Sequence, residues 1–325
     1  MTFLRAIFVA FVCGALAMAS DEAPGQLVAG TPARLVIGHP PGGQADTVAR
    51  IIAPRLSELW GRPVLLENRV GAAGTISANL VAKSPPDGLT LLIGSSTNLA
   101  IAAVRAKDLL DPTRDLAMVA RIANIPTVLA VAARVPARSV AELVDYAKSR
   151  PGQLTAGSSG VGSSSGFTLE MFKSAADVDV LEVPYNGLAP AVIALLSGQV
   201  DVVFADYSLV NSHVKTGALR LLAAVGSRPL AVVPELPTMR DLGFGEVTID
   251  SSIGIAAPAA TPPKVIAKLA HDIGQVLRMP DVRRQLAALG FEPVEDTPAQ
   301  YSASLRRDIE RFSVIARRLG IANAN

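Results

Sequence analysis

Cysteine is almost absent from this chain of 325 residues: Cys13 is the only one, and it falls in the first segment. The remainder of the chain has neither a disulfide framework nor thiolate metal ligands. Aromatic residues are 4% of the total, too few for the stacking platforms that hold single-stranded nucleic acid. Charge is sparse at 18%, with 30 Lys plus Arg against 28 Asp plus Glu and no block of one sign. That excludes the basic footprint of a nucleic-acid binder and a patch for anionic membranes. The three histidines, His39, His213 and His271, lie far apart and form no H-E-x-x-H, so no metal centre and no cofactor is expected. Hydrophobic residues are plentiful instead: they make up 50% of the chain, mostly Ala, Val, Leu and Ile. Such a chain can bury a core and is not disordered. Its length suits two domains of roughly 100–200 residues each.

Residues 1–19 read as a signal peptide. Arg5 precedes an apolar run that ends in Ala17-Met-Ala19 before Ser20. The run is short of the roughly 20 residues that a spanning helix needs. Val12 before Cys13 does not fit a lipid-anchor signal. The expectation is export to the periplasm with cleavage after Ala19.

Strand-like and helix-like segments then alternate. Strands are expected at 34–38, 63–67 and 89–93, with helices at 46–60 and 75–83. Pro54 should kink the first helix. After an apolar stretch over 118–133, Ser139-Val-Ala-Glu142 opens a helix as a capping box. Strands near 180–183, 200–204 and 219–225 alternate with helices at 166–175 and 190–197. At the C-terminus, Thr297-Pro-Ala-Gln300 combines an N-cap, Pro at N1 and a capping box. The pattern predicts an α/β fold built on mainly parallel sheets flanked by helices.

Four Gly/Ser-rich loops stand before helices: Pro40-Pro-Gly-Gly-Gln-Ala-Asp46, Gly94-Ser-Ser-Thr-Asn98, 157–166, and Pro184-Tyr-Asn-Gly-Leu-Ala-Pro190. Helix N-termini offer unpaired N–H groups and a positive dipole end, so such loops can hold a carboxylate or phosphate without Lys or Arg. The same residues also make ordinary turns and N-caps. Gly162-Ser-Ser-Ser-Gly166 matches the G-x-S-x-G elbow, and Ser164, Asp206 and His271 follow the chain order of a secreted serine hydrolase. Yet no strand runs into that elbow, and His271 sits inside a helical pattern. There is no P-loop, and no catalytic residue is assigned.

Read with their neighbours, the loops carry more. His39-Pro-Pro-Gly-Gly-Gln-Ala-Asp46-Thr-Val-Ala-Arg50 is followed by Gly61-Arg-Pro-Val-Leu-Leu-Glu-Asn-Arg69-Val-Gly-Ala-Ala-Gly74 and Pro86-Asp-Gly-Leu-Thr-Leu-Leu-Ile-Gly-Ser-Ser96. Val183-Pro-Tyr-Asn-Gly-Leu-Ala-Pro190 and Leu196-Ser-Gly-Gln-Val-Asp201 come next in order. The chain from residue 34 onward resembles the substrate-binding proteins of tripartite tricarboxylate transporters, the Bug family.

The resemblance implies a two-domain periplasmic-binding-protein (Venus flytrap) fold, not an enzyme. Domain 1 would comprise 20–124 plus 250–325 and domain 2 would comprise 125–249, joined by crossing strands. The ligand would be a small carboxylated organic acid, and the partner the permease subunits or, alternatively, a receptor sensor kinase. Carried onto this chain, the site would be the loop of Pro41, Gly42, Gly43 and Gln44, with Asp46 fixing the loop's shape. Ser95, Ser96 and Asn98 would add to it from domain 1. Domain 2 would supply Ser158, Ser159, Gly160, Ser163, Tyr185, Asn186, Gly187, Ala189 and Asp206. Departures from the family pattern are informative. His39 stands where an aromatic is common, Asn186 where Lys is frequent, and Asp206 one residue after the usual Asp. An imidazolium at His39 would raise affinity below about pH 6.5.

Overall fold

The computed structural model describes residues 30–105, 110–160 and 162–321, so the expected signal peptide and Cys13 lie outside the described residues. Eleven strands are present among them: β1 (Ala33–Ile37), β2 (Val64–Asn68), β3 (Thr90–Ser95), β4 (Leu116–Asn124), β5 (Thr127–Ala132), β6 (Leu154–Ser158), β7 (Val180–Pro184), β8 (Val202–Asp206), β9 (Leu219–Ala224), β10 (Ser252–Pro258) and β11 (Glu292–Pro293). They form two sheets, ordered β11-β4-β10-β3-β1-β2 and β7-β6-β8-β5-β9. Among the described residues, no helix is long and apolar enough to cross a membrane.

The α/β class holds, and most strands of each sheet run in one direction, with antiparallel members among them. Strands joined by crossover helices are parallel: β1 with β2 and β3, and β6 with β7 and β8. The antiparallel members are the strands next to the crossings. β10 returns from the second sheet and inserts between β3 and β4, against the direction of both. β5 enters the second sheet and opposes β8 and β9. Strand composition does not reveal direction, because both arrangements bury apolar runs here.

The apolar stretch 118–133 is two strands, split where Pro126 cannot donate to a ladder. The split is the first crossing between the sheets. The second crossing lies beside it, with the Ile125 amide donating to the Ser251 carbonyl at 2.8 Å. Pro54 does not break the helix Gln44–Trp60. It faces solvent, where water can satisfy the carbonyl that lost its donor.

The helix Pro298–Arg318 carries the complete capping box expected at Thr297 and Gln300. It packs on the first sheet through fully buried Tyr301, and reaches the second unit where Phe312 meets Phe167 edge-on at 5.3 Å. Arg311 donates to the Thr248 carbonyl in the same region.

Candidate functional site

The Gly/Ser segments gather at the C-terminal ends of β1, β3, β6, β7 and β8, the edge where open α/β sheets bind ligands. Residues 38–43 lead from β1 into Gln44–Trp60, and Asp46 shapes them. Its carboxylate accepts from the Gly42 amide at 2.9 Å, from Asn68 at 3.0 Å and from Arg50 at 2.7 and 3.1 Å. Burial would push the Asp46 pKa up; the hydrogen bonds from Arg50, Gly42 and Asn68 outweigh it and hold the carboxyl below its ordinary value. Asn68 also donates to the His39 carbonyl. The loop is therefore preorganised, and Arg50 is spent on shaping it.

The segment expected as a loop at 94–98 has no connecting residue: β3 ends at Ser95 and the helix Ser96–Arg105 begins at once. Ser95 Oγ accepts from the Asn98 amide at 3.1 Å. Asn98 in turn reaches across, its side-chain oxygen accepting from the Ser164 amide at 2.9 Å. β8 also passes directly into a helix, Tyr207–Lys215, which puts Asp206 at the joint.

Four helices begin at this edge without a side-chain cap: those starting at Gln44, Thr75, Leu188 and Tyr207, with Gly43, Gly74, Gly187 and Asp206 as N-cap residues. Elsewhere Ser139 and Thr297 cap their helices through their hydroxyls. The Tyr207 amide donates to the Pro126 carbonyl and the Thr75 amide to the Ala72 carbonyl; the other first-turn N–H groups at the cleft receive no side-chain cap and lie at positive dipole ends.

These elements enclose two chambers that meet at His39, Pro40, Asn98 and Ser159. The outer one, about 380 Å³, lies between residues 70–74 and 184–187. The inner one, about 20 Å³, is walled by Gln44, Leu188, Leu209 and Asp206 among others. Neither chamber is lined by Lys or Arg among the described residues. Another cavity of about 340 Å³ sits at the crossing segments, among Arg121, Pro126, Arg228 and Asp250. It touches one of the four uncapped helix starts, where the Pro126 carbonyl accepts from the Tyr207 amide at 2.8 Å, while the starts at Gln44, Thr75 and Leu188 border the paired chambers.

Three buried atoms around the inner chamber have no hydrogen-bond partner: His39 Nδ1, Gln44 Oε1 and Asp206 Oδ2. Burial raises the Asp206 pKa to about 7 and lowers that of His39 to about 4. Burial thus disfavours a His39 imidazolium, which counts against the expected role of its charge.

Gly43, Gln44, Asn98, Ser159, Ala189 and Asp206 line the inner chamber; Gly160, Tyr185, Asn186 and Gly187 line the outer one. Others named from the sequence turn away. Pro41 and Gly42 are exposed at the loop tip. Ser96 Oγ is paired with the Tyr301 hydroxyl at 2.7 Å, inside the core. Ser158 Oγ accepts from the Gly160 amide, and Ser163 Oγ caps its own helix at Gly166. Asp46 and Ser95 are equally committed to local hydrogen bonds. The hydrolase arrangement also fails, because His271 is exposed on the outer helix Pro263–Arg278 and lines neither chamber.

Sequence reasoning missed one wall. Gly71, Ala72, Ala73 and Gly74 have φ of 136°, 45°, 51° and 94°, four positive values in succession. For alanine this costs about 1–2 kcal/mol per residue, strain of the kind that clusters at ligand sites. The signal was present in Gly71-Ala-Ala-Gly74, another small-residue joint between strand and helix.

Among known proteins, the family model described as "Tripartite tricarboxylate transporter family receptor" matches residues 48–321. Protein BugT of Bordetella pertussis is 32% identical over 316 residues, 97% of this chain and 95% of the relative. An R. palustris protein solved with adipate superposes with TM-score 0.84 at 32% identity, over 90% of this chain and 98% of its own. MatC from Rhodopseudomonas palustris with bound malate gives 0.82 at 29% identity, over 88% and 99%.

Proposed function

Because the chain belongs to the tripartite tricarboxylate transporter receptor family, we propose that it is exported to the periplasm and captures a small carboxylated organic acid. The acid binds between the two sheets and passes to membrane permease subunits. The observation that carries this reading is the set of four helix N-termini without side-chain caps around a cleft that, among the described residues, is lined by neither Lys nor Arg. Such a site holds a carboxylate through backbone N–H groups and releases it when the walls part. Each charge-assisted hydrogen bond contributes roughly 1.5–3 kcal/mol, so four of them with apolar contact reach micromolar affinity, about 8 kcal/mol. The malate and adipate bound by the two solved relatives are consistent with this class.

The moving bodies are residues 20–124 with 250–325, and 125–249, swinging on the two crossings beside Pro126 and Ser251. The leader over 1–19 fits export, with the mature chain starting at Ser20.

A melting-temperature scan of the refolded mature protein against mono-, di- and tricarboxylic acids tests the reading. A ligand at 100 times its dissociation constant should stabilise by about 2.7 kcal/mol, a shift of several degrees. A selective shift with one acid supports the proposal; no shift with any acid defeats it.

Closure itself is open to test at Gly187. Its φ is 114°, and a Cβ there would lie 2.9 Å from Pro40 Cγ across the cleft. Gly187→Ala should hold the walls apart and weaken binding at least tenfold, about 1.4 kcal/mol. A calorimetric titration giving wild-type affinity would remove this contact from the liganded form.

A further inference from the structure

The two chambers differ in kind. The outer one has room for an organic acid and the helix ends to bind a carboxylate. The inner one, about 20 Å³, holds a single group the size of water, since one water requires roughly 10–15 Å³ measured this way. Around it the protein presents unpartnered acceptors. Asp206 is 3% exposed and Gln44 is 7% exposed. The orphaned Asp206 Oδ2 and Gln44 Oε1, with His39 Nδ1, border this one space. The Ser164 amide is given to Asn98, and the Ser159 and Ser165 hydroxyls share one hydrogen bond in which either can donate. A buried carboxylate with no partner and no cation is costly, and one ligand group can relieve it.

We propose that the ligand is a zwitterion, its carboxylate held in the outer chamber and an ammonium group seated in the inner one against Asp206, Gln44 and His39. An ammonium brings three N–H donors for three acceptors and a charge that offsets Asp206. A hydroxyl brings one donor and no charge, and a second carboxylate brings only acceptors and another negative charge. The inference rests on the carboxylate reading of the outer chamber and narrows it.

The test is calorimetric titration of the refolded mature protein with matched series of three to six carbons: ω-amino acids, the corresponding diacids and the plain monoacids. One ω-amino acid should bind at least tenfold more tightly than the diacid and the monoacid of its length. Asp206→Asn should abolish that preference, so that the amino acid binds no more tightly than the diacid or monoacid of its length, and Gln44→Leu should reduce it. A diacid or monoacid that binds as tightly as the amino acid overturns the inference and leaves the carboxylate reading intact; it would make the inner chamber a water site only. A preference that survives Asp206→Asn also overturns it. If no acid of any series binds, both readings fall together.

Discussion

Asp206→Asn is expected to raise the melting temperature of the ligand-free protein at pH 8 by several degrees and to change it little near pH 4. The reason is burial. Asp206 is closed off from water with one oxygen unpartnered, and its pKa rises to about 7. In the unfolded chain it titrates near the ordinary aspartate value of about 3.9. A group with a raised native pKa keeps its full stability below the unfolded value. That stability is lost as the pH climbs toward the native one, because the folded state must then give up a proton it holds more tightly. The loss accumulates between about pH 4 and 7 and is constant above; the shift corresponds to at most about 4 kcal/mol. Opening of the cleft returns Asp206 to water and limits the cost, so the observed difference will be smaller. Asparagine carries no charge to bury and is a good N-cap for Tyr207–Lys215. Melting curves of the two proteins from pH 4 to 8 should therefore diverge as the pH rises. Parallel curves would mean that Asp206 is solvated in the ligand-free protein. The same substitution should remove the ligand preference, so stability rises as function is lost.

Gly254→Ala is expected to be the most damaging single methyl in the fold. Gly254 lies on β10 between β3 and β4, and a Cβ built there runs into the Tyr301 ring and hydroxyl. Tyr301 is fully buried and its hydroxyl is paired with Ser96, so the ring has nowhere to go. Overpacking of this kind costs roughly 1–3 kcal/mol and more where neighbours are rigid; this site belongs at the top of that range or above it. The damage should reach the cleft, because Ser96 starts the helix that carries Asn98 to the chambers. A thermal melt should show a drop of many degrees, with partial recovery in the double variant Gly254→Ala with Tyr301→Leu. The shared contact makes the two changes non-additive. A melting temperature within about two degrees of wild type would contradict this packing.

The alternation of strands and helices, the capping box at Thr297 and the small-residue loops were legible because each is local chemistry. Strand direction was not, since β10 and β5 are as apolar as their parallel neighbours and owe their orientation to crossings far away in sequence. The candidate site was readable as a set of loops, and the chambers do draw on Gln44, Asn98, Ser159, Gly187 and Asp206. Which hydroxyl faces the guest was not readable. Ser96, Ser158 and Ser163 look the same as Ser159 in sequence, yet each hydroxyl is taken by a partner that the turn or the core supplies. His39 shows the same gap: its place beside the loop suggests charge, while burial, which no local pattern reveals, holds its pKa down.

The proposed capture of an organic acid depends on backbone N–H groups in the cleft gripping its carboxylate. The most direct measurement is the affinity of the best acid from the scan compared with that of its methyl ester, by calorimetry on the same refolded protein. The ester keeps the shape and removes the charge, so a loss of at least a hundredfold is expected, about 2.7 kcal/mol. An ester that binds as well as its acid would show that the helix ends do not read the carboxylate.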